Sequence, residues 1–537
     1  MTERRAIFAI AALSLVFQAL ACPAWAQESC ESLASAPIPG ITITSAASVP
    51  AGSFTLPQAA LPQTAGPQSA SRRLTSAATV EVPAFCRVVA TVDKEVRMEL
   101  WMPREWNHKL LGVGNGGLAG AISYLAMVKP LRQGYATSST DTGHQGSSTD
   151  GEWALGHYER IVNFADRATH LMAEADKVLL NAFYGAEPAH SYFSGCSQGG
   201  HEAMIEAQRY PADFDGIIAG DPANNWTHHY IGGHLWIALA MDGDGYIPAD
   251  KVHILADAVN NQCDALDGIK DGVLNDPRRC NFNPEALLCK GSDTSECFTS
   301  EQVAAVKKIW AGLTTPEGQV IYPGLLPGGE AGPGGWAGYV TGSAPGKGRH
   351  ANLGLPFFKF MVFDDPDWNY KTFKFTAANG FDSDIDYTDA KLAALFNAVN
   401  PDLSEFKARG GKLIQYHGWS DPDITPLNSV NYYESVVKAQ GSDVDGLQNT
   451  LEFYRLFMVP GMQHCQGGPG ATNFDMLESL DNWAGHGVAP SKVIASRIVH
   501  GVVSRTRPLC PFPQEAQWTG SGSTDDAANF VCALPKP

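Results

Sequence analysis

The chain has 537 residues, 44% of them hydrophobic and 18% charged. These values exclude a disordered or fibrous protein and leave room for a large core plus an insertion or a second domain. A net charge of −18, with a pI near 5.2, disfavours nucleic acid and anionic membranes as partners and leaves cation binding open.

Residues 1–26 read as a signal peptide. Arg4 and Arg5 form a short positive region, residues 6–21 an apolar run too short for a comfortable membrane span, and Ala24-Trp25-Ala26 a small-x-small cleavage signal. Acylation of Cys22 is a weaker alternative, because Ala19, Leu20 and Ala21 fit that signal poorly. No later stretch is long and apolar enough to cross a membrane, so the mature protein is expected to be secreted or periplasmic. Of the eleven cysteines, cleavage removes Cys22 and leaves ten, an even number that implies disulfides in an exported chain. Connectivity is not readable from sequence, but near neighbours suggest Cys263 with Cys280, Cys289 with Cys297, and Cys510 with Cys532. Cys30 with Cys86 would staple the N-terminal segment. Cys196 and Cys465 then remain.

Residues 37–73, rich in Ala, Ser, Pro and Gln, read as an irregular leader laid over the domain. Residues 80–102 alternate apolar and polar, as antiparallel strands do. Residues 110–113 form a short apolar run ending in Gly114-Asn115-Gly116-Gly117, and residues 160–183 carry helical periodicity. Residues 191–193 read as a buried strand, 201–209 as a helix and 214–219 as another buried strand. From about 222 to 404 the alternation gives way to Gly/Pro-rich loops and acidic clusters, and strand signals return at 412–416 and 453–459. The pattern predicts an α/β-hydrolase fold with a mostly parallel sheet. Its catalytic domain spans 27–221 and 405–537, and 222–404 form an inserted lid.

Gly195-Cys196-Ser197-Gln198-Gly199 matches G-x-S-x-G between strand and helix. That context lifts a serine hydroxyl off the sheet on a strained turn, glycines relieve crowding, and the helix N-terminus faces developing negative charge. An idle serine in a glycine turn is the plain alternative. Chain order in such enzymes is Ser, acid, His. Strand 412–416 leads into His417-Gly418-Trp419-Ser420-Asp421-Pro422-Asp423, and strand 453–459 into Pro460-Gly461-Met462-Gln463-His464. His464 is the candidate base and Asp421 the residue that orients it, with Asp423 the competing carboxylate and His417 a structural neighbour. His144, His170 and His201 are weaker candidates for the base. If Ser197 and His464 meet, Cys196 and Cys465 lie within a disulfide's reach; two separate thiols are the alternative. The oxyanion hole is expected from the N–H of Gln198 and from Gly116 or Gly117.

Asp264, Asp267 and Asp271 fall within ten residues with Gly268 and Gly272. With the carbonyls of Ile269 and Val273 they would suit Ca²⁺, a hard cation that takes oxygen ligands; a polar turn capped by Asp side chains is the alternative. Trp336, Phe357, Phe358, Phe360, Trp368 and Tyr370 in the lid are candidates to pack over an aromatic substrate, or simply core.

The motifs around Ser197, His417–Asp421 and Gly461–Cys465 together resemble the tannase/feruloyl esterase family. That family includes feruloyl esterases, tannases and the hydrolase of mono(2-hydroxyethyl) terephthalate. Pro83-Ala84-Phe85-Cys86, Thr140-Asp141-Thr142-Gly143-His144, the glycine loop and the Asp-rich loop extend the resemblance over nearly the whole mature chain. It implies Ser197, Asp421 and His464 as the triad, a Cys196–Cys465 bridge beside it, structural calcium on Asp264, Asp267 and Asp271, and hydrolysis of small aromatic-acid esters through an acyl-enzyme. Feruloyl or galloyl esters are the expected substrates. A terephthalate monoester hydrolase, a peptidase with the same triad and a non-catalytic ligand-binding relative are the other readings.

Overall fold

The alternation of strands and helices closes into a nine-stranded mixed sheet in a computed structural model, which describes residues 29–57, 78–291, 295–332, 334–376 and 383–535. The expected signal peptide, residues 1–26, lies outside the described residues. The strands are β1 (Ile41–Val49), β2 (Phe85–Val92), β3 (Val96–Pro103), β4 (Lys109–Val113), β5 (Ala136–Thr140), β6 (His190–Cys196), β7 (Gly216–Gly220), β8 (Lys412–Gly418) and β9 (Tyr454–Val459). Their spatial order is β1-β2-β3-β5-β4-β6-β7-β8-β9. Pairing is antiparallel from β1 to β5 and parallel from β5 through β9. Parallel strands are covered on both faces, which is why β7 reads Gly-Ile-Ile-Ala-Gly and is buried along its length.

One element departs from the sequence expectation, and another carries no strand signal in the sequence. The supposed irregular leader contains β1, which pairs with β2 at the sheet edge. Its Ile41 and Ile43 pack on the core while Thr42 and Thr44 face solvent, so the alternation was present but its apolar side is small. Strand β5 lies inside the sheet although it reads Ala-Thr-Ser-Ser-Thr. Its hydroxyls are buried, and Ser138 donates to Asp176 and Thr140 to the carbonyl of Arg97, so polarity there does not mean exposure.

Helices α2 (Ala168–Tyr184), α3 (Gln198–Arg209) and α4 (Pro426–Ala439) bury Met172, Leu179, Met204 and Tyr433 against one face of the sheet. Helices α1 (Tyr124–Arg132) and α5 (Met476–His486) bury Met127, Leu131, Leu480 and Trp483 against the other. None of the helices among the described residues is long and apolar enough to cross a membrane.

Between Gly220 and Lys412 the chain leaves the sheet. This insertion builds two apolar clusters, one around Trp226, Phe357, Phe358 and Phe396, the other around Val306, Ile309, Tyr322 and Trp336. Trp336, Phe357 and Phe358 are therefore core residues. Phe360, Trp368 and Tyr370 pack at the margin of the first cluster.

Register sets where the chemistry falls. Cys196 pairs with Gly220, Gly220 with Tyr416, and Gly418 with Val459. The carboxyl ends of β6 to β9 thus share one edge, the place where loops of an α/β sheet carry ligands.

Candidate active site

Ser197 follows β6 directly and caps α3 in a sterically disfavoured conformation, φ 66° and ψ −120°. The glycines make that turn passable. A Cβ on Gly195 would lie 2.3 Å from the carbonyl oxygen of Gly199, and one on Gly200 would lie 2.4 Å from that of Gly220. The Gly199 N–H donates to the carbonyl of Asn115 at 2.9 Å, which brings the glycine loop against the start of α3. Asn115 N–H donates to Glu202 at 3.2 Å, and burial pushes the Glu202 carboxyl up to about 8. The N–H groups of Gly116, Gly117 and Gln198 donate to no acceptor among the described residues. Gly117 has φ +62°, and a Cβ there would stand 2.4 Å from the Ser148 carbonyl oxygen.

The loops after β8 and β9 bring Asp421 and His464 together, Nδ1 to Oδ2 at 2.8 Å. The other oxygen of Asp421 accepts the N–H groups of Asp423 at 2.7 Å and Ile424 at 3.1 Å. His417, fully buried, lies 3.3 Å from the same Asp421 oxygen that meets His464, and its Nδ1 meets the Ser429 hydroxyl at 2.6 Å. Asp423 occupies the far side of the base: its Oδ2 is 3.3 Å from His464 Nε2, and its Oδ1 is 3.0 Å from His234 Nε2. Burial opposes a charged His464 ring, but the Asp421 and Asp423 carboxylates outweigh it and raise its pKa. Burial likewise works against an ionised Asp421, and the facing histidines prevail and hold it below its ordinary value. The Ser197 hydroxyl takes part in no hydrogen bond among the described residues.

The cysteines join as Cys30–Cys86, Cys196–Cys465, Cys263–Cys280, Cys289–Cys297 and Cys510–Cys532. The second bridge links the residue before Ser197 to the residue after His464, with Cα atoms 6.0 Å apart across 269 positions of sequence. His144, His170 and His201 lie outside this cluster, bonded to Leu118, Asp213 and Phe396. Three residues not singled out in the sequence belong to it. Tyr339 meets the His464 ring edge-on at 5.9 Å, Glu202 anchors the glycine loop, and Asp221 has an oxygen within 4.8 Å of both Asp421 and His464. Only Asp221 had a local cue, a carboxylate placed directly after a buried strand.

In the acidic loop, one oxygen of Asp264 accepts the N–H groups of Asp271, Gly272 and Val273 at 2.9–3.2 Å. Asp267 caps Ile269, and Asp271 pairs with Arg505 at 3.0 Å and Arg507 at 2.7 Å. The three carboxylates do not all approach one another within 4.8 Å. Burial and the neighbouring carboxylates raise Asp267 to about 6, and Asp271 also lies above its ordinary value, chiefly through burial. The carbonyls of Ile269 and Val273 accept no hydrogen bond among the described residues. The donors are all oxygen and carry like charge, the chemistry a hard cation takes, and the carbonyls of Ile269 and Val273 are free to turn to it, while Asp264 is held by three N–H groups and Asp271 by two arginines.

A sheet of this order, presenting a strained serine and a carboxylate-held imidazole along one edge, is the framework of the α/β-hydrolases, and this protein is a carboxylic ester hydrolase of that class. It belongs to the tannase and feruloyl esterase family, whose family model matches residues 79–533. An uncharacterized esterase of Xanthomonas campestris pv. campestris is 40% identical, covering 96% of this chain and 92% of its own length. The mono(2-hydroxyethyl) terephthalate hydrolase of Piscinibacter sakaiensis is 32% identical, covering 86% of each. Among solved structures, feruloyl esterase B from Aspergillus oryzae superposes with a TM-score of 0.81 at 28% identity, covering 94% of this chain and 99% of that one. Tannin acyl hydrolase from Aspergillus niger, at 23% identity, a TM-score of 0.73 and 93% of each chain, shares the fold.

Proposed function

We propose that this protein is an exported serine esterase of phenolic-acid esters, feruloyl or galloyl, acting through an acyl-enzyme. The observation that carries the serine mechanism is the Asp421–His464 contact of 2.8 Å, on a loop bridged through Cys465 to the residue before Ser197. In the reaction the Ser197 oxygen bonds to the acyl carbon while its proton passes to His464 Nε2. His464 then gives that proton to the departing alcohol. Water, deprotonated by the same nitrogen, cleaves the acyl bond and releases the acid. Asp421 holds Nδ1–H and stabilises the imidazolium, and the N–H groups of Gln198 and of Gly116 or Gly117 receive the oxyanion. His464 Nε2 also faces the Asp423 carboxylate at 3.3 Å.

Calcium held by Asp264, Asp267 and Asp271, with the Ile269 and Val273 carbonyls, would neutralise the loop and brace the insertion structurally. Five disulfides and the leading apolar segment support export to the periplasm or medium.

The test is a panel of methyl ferulate, methyl gallate, chlorogenate and mono(2-hydroxyethyl) terephthalate on wild type and Ser197→Ala. Turnover of the first three above the fourth, abolished in the variant, is expected. Preference for the terephthalate monoester would replace the substrate class, and an active Ser197→Ala would remove the serine mechanism.

A further inference from the structure

The segment after β7 touches the candidate nucleophile twice through backbone. Ser197 N–H donates to the Gly220 carbonyl at 2.9 Å, and Ala223 N–H donates to the Ser197 carbonyl at 3.2 Å. Asp221 stands between these contacts, fully buried, with its own N–H on the Tyr416 carbonyl at 2.9 Å. Its side chain then reaches the other two loops. Oδ1 accepts the N–H of Gly418 at 2.7 Å, at the end of the strand that leads to Asp421. Oδ2 accepts the N–H of Cys465, the residue after His464, at 2.6 Å, and lies 3.5 Å from Cys196 Sγ. The residue sits at φ +34°, a left-handed conformation that Asp and Asn tolerate better than other side chains. Such conformations persist where surrounding structure over-determines them, often at functional sites.

We propose that Asp221 is a positioning residue of the esterase, one carboxylate that fixes the nucleophile, acid and base loops relative to one another. A carboxylate suits this task because each oxygen accepts a backbone N–H from a different loop, and an ionised acceptor makes the stronger bond. The bridge between Cys196 and Cys465 joins two of the three loops. Asp221 adds the third and sets the depth at which Gly418 and Cys465 sit. Its charge also bears on the base, having an oxygen within 4.8 Å of His464 and of Asp421, with His417 Nε2 at 3.7 Å. Burial pushes its carboxyl up to about 6, against the pull of the facing His417 and His464 rings.

The inference rests on the Ser197–Asp421–His464 assignment, and the experiment separates the two. Asp221→Asn keeps shape and backbone tolerance but loses the charge and one of the two acceptors; Asp221→Ala loses both. Rates are measured per active site, counted with a fluorophosphonate that labels the nucleophilic serine. Asp221→Asn is expected to lower kcat by about a hundredfold with KM little changed, since misplacement by about 1 Å costs that much. The acidic limb of its kcat/KM profile is expected at lower pH, because a negative charge beside His464 is gone. Unchanged kcat per labelled site and an unmoved limb would overturn the proposal, as would a loss confined to melting temperature. If neither variant folds, hydrogen exchange on wild type decides: slow exchange of the Gly418 and Cys465 amides supports the clamp, and fast exchange of either refutes it. Fluorophosphonate labelling of Ser197→Ala would instead sink the triad.

Discussion

His464 Nε2 lies 3.3 Å from Asp423 Oδ2, so the nitrogen expected to take the serine proton rests beside a second carboxylate. The ring is flanked by Asp421 on Nδ1 and Asp423 on Nε2, and this favours its cation. A cationic base accepts no proton, so turnover rises with pH as the ring deprotonates. The acidic limb of kcat/KM is expected above the ordinary imidazole value of 6.5. Asp423→Asn removes one carboxylate and shifts that limb to lower pH. A profile over pH 5–9 that is identical in the two proteins would count against the relationship.

The two carboxylates are not equivalent. Asp421 fixes which nitrogen carries the resting proton, and Asp421→Asn is expected to lower kcat by about 10⁴-fold. Asp423→Asn is expected to retain most turnover once the pH exceeds its limb. The reverse ranking in steady-state kinetics would exchange their roles.

The Cys196–Cys465 bridge acts on geometry as well as stability. Replacing both cysteines by Ala is expected to cost about 2–4 kcal/mol of stability and about a hundredfold in kcat. The same replacement of Cys510 and Cys532, a bridge within the C-terminal segment and not beside Ser197, should lower stability without that loss of rate. Equal kcat losses in the two double variants, measured well below their melting temperatures, would leave the bridge no geometric role.

Chelation with EDTA is expected to lower the melting temperature and leave the initial rate nearly intact, because an ion that binds the native state stabilises it by mass action. Asp267→Asn should melt near the chelated wild type and no longer respond to added Ca²⁺. A melting curve indifferent to EDTA would remove the cation from the acidic loop.

The sequence made legible whatever chemistry ties to a local pattern. Ser197 was readable because a strand-to-helix turn of that tightness requires glycine at 195 and 199. Asp421 and His464 were readable because each follows a short apolar strand in the expected order. Elements escaped where burial is not signalled by hydrophobicity. Strand β5 hides Thr137, Ser138 and Ser139 in the sheet, and β1 shows the core only the half-buried Ile41, Ile43 and Ala46. Asp221 escaped because its role lies in contacts with Gly418 and Cys465, 197 and 244 positions away. Among lid aromatics, nothing in sequence separates Tyr339, which meets His464, from Trp336, which fills the core.

The Cys196–Cys465 link closes a covalent ring around the entire excursion from β7 to β8. A protease that nicks the chain anywhere inside that ring therefore cannot release either fragment. The two pieces stay tethered beside Ser197 and His464 and come apart only under reducing conditions. Cut in its most elaborate region, the enzyme thus keeps residues 197 and 464 on one molecule.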